Sequence, residues 1–288
     1  MPFEIVATAS RPGERVNEDA AGSTESGKGI FYQQSAWVLD GATGVAAREY
    51  VPDGPTDAAW LARALNEAMT TLETVTLSAP RYFARIIDLV AARYQALVPD
   101  YKKLPRHARP SAAVVWLRAN PNWIEFWHQG DCVAVIEQGD EVKILGIVDR
   151  TGSDGTLREL IAARLAAGPS DRKLLEAMGD ELRRRRDRLN RPSGYWMLGI
   201  DRRAAAHMDY AVFKALPGTR VLLCSDGYWR LVDHFHRYDA AGLLAASFER
   251  GPDALLDELR ALEAADPDCL KVPRVKPMDD ATALILRF

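Results

Sequence analysis

Four apolar, strand-forming runs in this 288-residue chain end in or beside an aspartate. They are "FYQQSAWVLDGATG" from residue 31, "IEFWHQGDCVAVI" from residue 124, "TRVLLCSDGYW" from residue 219 and "KPMDDATALIL" from residue 276. An isolated Asp-Gly after a strand is most often a turn. Repetition at four strand ends raises a different possibility, that one site is assembled from all of them.

The pattern along the chain sets the fold class. "FEIVATAS" and "AWVLD" read as strands. Two amphipathic helices follow, one carrying Trp60, Leu61, Ala64, Leu65, Ala68, Met69 and Leu72 behind an N-cap at Thr56, the other carrying Phe83, Ile86, Ile87, Val90, Tyr94 and Leu97. After the polar "YKKLPRHARP" come "SAAVVWLRA", "WIEFWHQ", "CVAVIEQ" and "EVKIL", whose spacers "NPN" and "GD" predict an antiparallel meander. Residues 150 to 195 break the rhythm with the loop "DRTGSDGT" and the helical "LRELIAARLAA" and "DRKLLEAMGDELRRRRDRLN". "MDYAVFKA" and "TRVLLCSD" resume the strands, helices are expected at 239–249 and 252–265, and "ATALILRF" closes as a strand. Strands and helices in blocks predict an α+β layered domain over residues 1–288, with residues 150–195 as an insertion.

Composition narrows the function classes. The chain is 48% hydrophobic with 40 acidic and 37 basic residues, and its net charge of -3 gives no reason to expect nucleic acid or an anionic membrane as a partner. No apolar run reaches the length of a membrane span, and the N-terminus has no secretory pattern. Cys132, Cys224 and Cys269 fit neither a disulfide framework nor a thiolate metal site, so a reduced, cytoplasmic protein is the expectation, and a monomer.

The acids at issue are Asp19 with Glu18 beside it, Asp40, Asp131, Asp226 and the pair Asp279–Asp280. Clustered carboxylates repel, so at neutral pH they require cations or raised pKa values. Hard oxygen ligands without Cys or His partners suit Mg2+ or Mn2+ rather than zinc. Glycine after Asp40 and Asp226 permits close backbone approach. Such a site favours metal-assisted hydrolysis, in which two ions hold a hydroxide and neutralise phosphate oxygens.

In this order, "NEDA", "DGATG", "GDCVAVI", "CSDGYW" and "DDAT" resemble the acidic motifs of the metal-dependent serine/threonine phosphatases of the protein phosphatase 2C (PPM) family, over nearly the whole chain outside the insertion. The resemblance implies a four-layer α-β-β-α sandwich, two antiparallel sheets flanked by helix pairs, with a dinuclear metal centre at one edge. It implies that Asp40 bridges two ions, that the Gly41 carbonyl ligates one, and that Asp226 and Asp279 complete the other. Glu18 and Asp19 match the motif that acts mainly through bound water. Asp131 matches the aspartate that, with that of S-D-G, supports a third ion in bacterial relatives. The implied reaction is hydrolysis of phosphoserine or phosphothreonine on a protein substrate by a metal-bound hydroxide.

The sequence departs from the pattern in three places. The family's phosphate-clamping arginine corresponds to Glu14, leaving Arg15 or Arg11 as candidates for that role. Ala42 stands where eukaryotic members have a histidine. Asp280 replaces the usual asparagine. Loss of the clamp supports an alternative reading, a metal-binding but catalytically weak signalling module. Outside the acids, Arg183–Arg186 reads as a solvated helix face or a docking site for acidic substrates, His234 and His236 as surface loop, Trp116, Trp123 and Trp127 as sheet core, and Cys224 as a buried hydrophobe.

Overall fold

The computed structural model describes residues 2–42, 44–46, 48–52, 54–74, 77–146, 161, 163, 166 and 178–288. Its strands are β1 (Glu4–Arg11), β2 (Asp19–Ser26), β3 (Gln33–Gly41), β4 (Ser111–Ala119), β5 (Trp123–Gln129), β6 (Val133–Gln138), β7 (Glu141–Leu145), β8 (Leu198–Gly199), β9 (Asp209–Lys214), β10 (Arg220–Cys224) and β11 (Ala281–Arg287). The α-helices are α1 (Asp57–Thr71), α2 (Ala79–Leu97), α3 (Gly179–Arg186), α4 (Asp226–Asp233), α5 (Ala240–Arg250) and α6 (Pro252–Ala264). One sheet has the order β1-β11-β10-β6-β7. The other has β2-β3-β4-β5-β9, with β8 paired to β4. Every pairing between these strands is antiparallel.

Period-two alternation sorts the side chains into layers. Ala36 and Val38 of β3, with Val115 and Leu117 of β4, meet Val221, Leu223, Leu284 and Leu286 of the other sheet in a core between the sheets. The alternate residues, Trp37, Leu39, Val114 and Trp116, pack under α1 and α2. On the far side Leu222, Cys224, Ala283 and Ile285 pack under helical Tyr228, Leu244 and Leu259. The result is the expected four-layer α+β arrangement. Thr56 caps α1 as expected, its hydroxyl accepting from the Ala59 amide at 3.0 Å.

Four expectations are corrected. The meander from β4 to β7 is not continuous: Gly139–Asp140 makes the β6–β7 hairpin, but Gly130–Asp131 carries the chain from one sheet to the other, and β5 pairs with β9 instead of β6. The strand β2, "DAAGSTES", is unannounced because its Ala, Gly and Ser have poor strand propensity. It forms because Gly22 admits the Trp37 ring, which would lie 2.6 Å from a Cβ there. Asp226 does not close a strand; it opens α4. Trp123 is 46% exposed and lies outside the core that encloses Trp116. The loop expected at 149–156 lies outside the described residues. So does the helix expected at 157–167, apart from residues 161, 163 and 166, and the helix expected at 171–190 is described from 178 onward. Among the described residues no helix is long and apolar enough to cross a membrane.

The segment between α6 and β11 lacks regular structure yet is tightly held. Arg274, 2% exposed, donates to Asp266 at 2.7 Å and to the carbonyls of Val272, Pro277 and Asp266. Asp266 in turn accepts from the amides of Leu270, Lys271 and Val272. Removing one partner of a buried pair strands the other charge, at a cost of about 3–5 kcal/mol. We expect Asp266→Ala to lose stability of that order in denaturant unfolding; a loss below about 1 kcal/mol would show that the knot is not structural.

Candidate metal centre

In an antiparallel sheet the end of one strand lies beside the start of its neighbour. Asp40, near the end of β3, is directly paired with Asp19, the first residue of β2. Asp40 continues the row of Ala36 and Val38, so parity aims it between the sheets. At the same edge of the other sheet, the end of β10 at Cys224 sits between Val133, which starts β6, and Ala283, near the start of β11. Asp226, Asp131 and Asp279–Asp280 lie just beyond those three strand ends. Five segments distant in sequence thus deliver acids to one edge.

Two glycines let the backbones close there. A Cβ on Gly41 would lie 2.5 Å from the Glu18 carbonyl oxygen and 2.9 Å from that of Ala58, and the Gly41 amide donates to the former at 3.0 Å. A Cβ on Gly227 would lie 1.9 Å from the Asp280 carbonyl oxygen. Asp280 itself accepts from the amides of Gly13 and Glu18, both at 2.7 Å, and so ties the β1–β2 loop to the start of β11.

Burial raises the carboxyl pKa of Asp40 well above its ordinary value, and the charges of Asp226, Asp19 and Asp131 add to the effect. Burial likewise lifts Asp19 strongly, with Asp280 and Asp226 contributing. Asp226 is also raised, by burial first and then by Asp279. A hydrogen bond between Asp40 and Asp226 favours the proton on Asp40. Asp19 is 8% exposed, and neither of its carboxyl oxygens has a hydrogen-bond partner. The hydroxyls of Ser225 and Thr282 lower it in part; the Ser225 oxygen also accepts from the Thr282 amide, and the Thr282 hydroxyl also meets Ser10. A buried carboxyl left without partners is costly unless something outside the chain satisfies it.

Asp279 behaves differently. Burial pushes its pKa up, but Lys276 and Arg230 outweigh that and hold it below the usual range. Lys276 Nζ lies 3.0 Å from Oδ1, Arg230 Nη2 lies 2.6 Å from Oδ2, and Arg230 also donates to buried Glu263. Neither cation is marked by the strand-end pattern. Arg230 follows Asp226 by one helical turn, a spacing that becomes readable only once α4 is recognised.

The remaining candidates are spread around the edge. Glu18 is buried, Asp131 is exposed at the crossing between the sheets, and Asp40, Asp226 and Asp279 keep partial access to solvent. Arg11 is committed to α6 through Asp253 and Asp257. Arg15 is exposed in the β1–β2 loop. The arginine run of α3 is largely self-paired, Arg183 with Asp180, and Arg184 and Arg185 with Glu181. Arg186 instead reaches back to the Ala42 carbonyl at 3.3 Å, two residues beyond Asp40. It borders a cleft with Ala42, Arg48, His107 and Arg109.

Among the described residues, no three Asp, Glu, His or Cys side chains are grouped to hold an ion as they stand. The donors nevertheless fit a hard divalent cation on the Asp19–Asp40 side, where oxygen ligands abound and the Asp19 carboxyl is unsatisfied. On the Asp279 side they do not, because both oxygens already meet protein cations.

Comparison of the sequence with protein-family models gives no match, and neither does comparison with curated proteins. Solved structures do match. PppA, described as a key regulatory component of T6SS in Pseudomonas aeruginosa, is 17% identical with a TM-score of 0.54, over 99% of this chain and 97% of its own. The Mycobacterium tuberculosis serine/threonine phosphatase PstP/Ppp is 15% identical at 0.56, over 99% and 98%. A PstP catalytic domain in complex with 2 manganese ions is 16% identical at 0.53, over 99% and 97%. The chain shares the fold of these proteins, two of them serine/threonine phosphatases. At such identities the likeness establishes the architecture, and the chemistry has to be argued from this chain's own residues.

The acid edge predicts a pH response. Asp19, Asp40 and Asp226 bind protons more tightly folded than unfolded, so the native state carries the excess protons and stability falls as pH rises above about 4. Asp279, with its lowered pKa, contributes in the opposite sense, but only in the acid range below that. In chelator, the midpoint of thermal unfolding should therefore drop between about pH 5 and pH 8, and Asp19→Asn should flatten the drop. A wild-type midpoint that rises across this window, or an unchanged slope in the variant, would refute this account of the edge.

Proposed function

We propose that the protein is a phosphohydrolase that requires Mn2+ or Mg2+ and acts on phosphoserine and phosphothreonine in proteins. The observation that carries the reading is the buried Asp19 carboxyl, with no hydrogen-bond partner on either oxygen, opposite Asp40 and in the field of Asp226. It stands on a fold shared with serine/threonine phosphatases, one of them a manganese complex. When bound, the metal supplies an activated water and neutralises phosphate charge. Asp19, Asp40 and Asp226 would hold it, with the Gly41 carbonyl beside them and Asp131 at the exposed rim. Asp280 fixes the loop that carries Glu18. Cys132 and Cys224 are fully buried with their thiols pushed up, first by burial, so neither is set up to attack as a thiolate.

Assayed with p-nitrophenyl phosphate and a phosphothreonine peptide, activity should need added Mn2+, vanish with EDTA, and fall by about 100-fold or more in Asp40→Asn. Activity that survives chelation, or wild-type rates in the variant, would overturn the reading. A catalytically weak metal-binding module is the second reading. Glu14 at the clamp position and the commitment of Arg11 to α6 favour it. Mn2+ binding without turnover would select it.

We assign recognition of the phosphoprotein to the inserted segment at about 150–195, working as a flap on one phosphatase domain. Among the described residues of that segment, Arg186 reaches the Ala42 carbonyl, two residues past Asp40, and borders a small cleft in which Arg48 and Arg109 accompany Glu49 and Asp57. Arg186→Gln should raise KM for the phosphopeptide roughly tenfold, the scale of one charge-assisted contact, and alter aryl phosphate hydrolysis less. Equal effects on both substrates would remove the docking role.

A further inference from the structure

The Asp279 carboxylate, which the metal-dependent reading would offer to an ion, already meets a protein cation on each oxygen. Oδ1 receives Lys276 Nζ at 3.0 Å and Oδ2 receives Arg230 at 2.6 Å, while the Asp279 carbonyl accepts from Arg260 at 2.7 Å. Arg230 is anchored from behind by Glu263, which is 0% exposed, at 2.8 Å. An incoming ion has to displace Lys276 from Oδ1 or Arg230 from Oδ2, and displacing Arg230 strands a buried cation. Lys276 differs from Arg230 in lying at the mouth, its side chain 27% exposed against 6%. Its charge acts on Glu18 and Asp40 as well as Asp279, so it stands inside the acid edge and not merely beside one member of it.

The geometry points to Lys276 as a resident monovalent cation that takes the place of one divalent ion, leaving room for a single ion on the Asp19–Asp40 side. This rests on the metal-dependent reading above and adds a stoichiometry to it. The ammonium neutralises carboxylates as a metal would, but it cannot share a water ligand or bridge to phosphate. The chain would then differ from a dinuclear phosphatase in the ion count of its centre while keeping the same carboxylates.

The test counts Mn2+ by equilibrium dialysis with metal analysis, on the full chain and on Lys276→Gln, which removes the charge and leaves a neutral polar side chain one atom shorter. One equivalent in the wild type and one more in the variant is the expected result. Two equivalents in the wild type overturn the proposal and leave the metal reading intact. An equal, non-zero count in both proteins also overturns it, because Lys276 then excludes nothing. No ion in either protein overturns it together with the metal reading. Should Lys276→Gln fail to fold, the wild-type count still decides, one equivalent in favour and two against.

Discussion

Carboxylates delivered to one poorly hydrated edge repel each other, and much of what surrounds this edge can be understood as an answer to that repulsion. The chain uses three different answers at neighbouring positions. Asp40 and Asp226 are pushed toward their protonated forms by burial and by each other. Asp279 and Asp280 are satisfied internally, the first by two cations and the second by two backbone amides. Asp19 is enclosed with neither a cation nor a backbone amide on its carboxyl, only the Ser225 and Thr282 hydroxyls moderating it. Raised pKa values, ion pairs and an orphaned carboxyl therefore have one origin, and the orphan is where outside charge is most strongly invited.

The architecture was legible to the extent that burial writes a period into the sequence. β4 and β5 are covered on both faces or stacked by large aromatics, and their boundaries are read directly from "SAAVVWLRA" and "WIEFWHQ". β2 was not legible, because an edge strand of small residues depends on the Trp37 ring it receives, and that contact is made by a distant segment. Two identical Gly-Asp dipeptides became a hairpin and a sheet-to-sheet crossing. Local sequence cannot separate these, since the outcome depends on which strand is available to pair.

The site divided in a similar way. Its acids were marked by position at strand ends and by their order, a regularity that survives without any knowledge of contacts. Lys276 and Arg230 were not marked, because a cation near a carboxylate in sequence is usually a solvated pair. Only the burial of Arg230 itself and of Glu263 turns Arg230 into a structural component. The close approaches at Gly41 and Gly227 were anticipated from residue type; their partners, the carbonyls of Glu18, Ala58 and Asp280, were visible only in three dimensions.

The position of β11 has a further consequence. It lies between β1 and β10, so the earliest strand of the chain has its hydrogen-bonding partner in the latest one. During synthesis β1 must wait, unpaired, while nearly all of the described chain is made, and loop closure over that span is slow. Asp279 and Asp280 arrive with the same strand. An unfinished polypeptide emerging from the ribosome therefore carries Asp19, Asp40 and Asp226 but lacks the Asp280 carboxylate that holds the amides of Gly13 and Glu18. Completion of this sheet and closure of the acid edge are a single event.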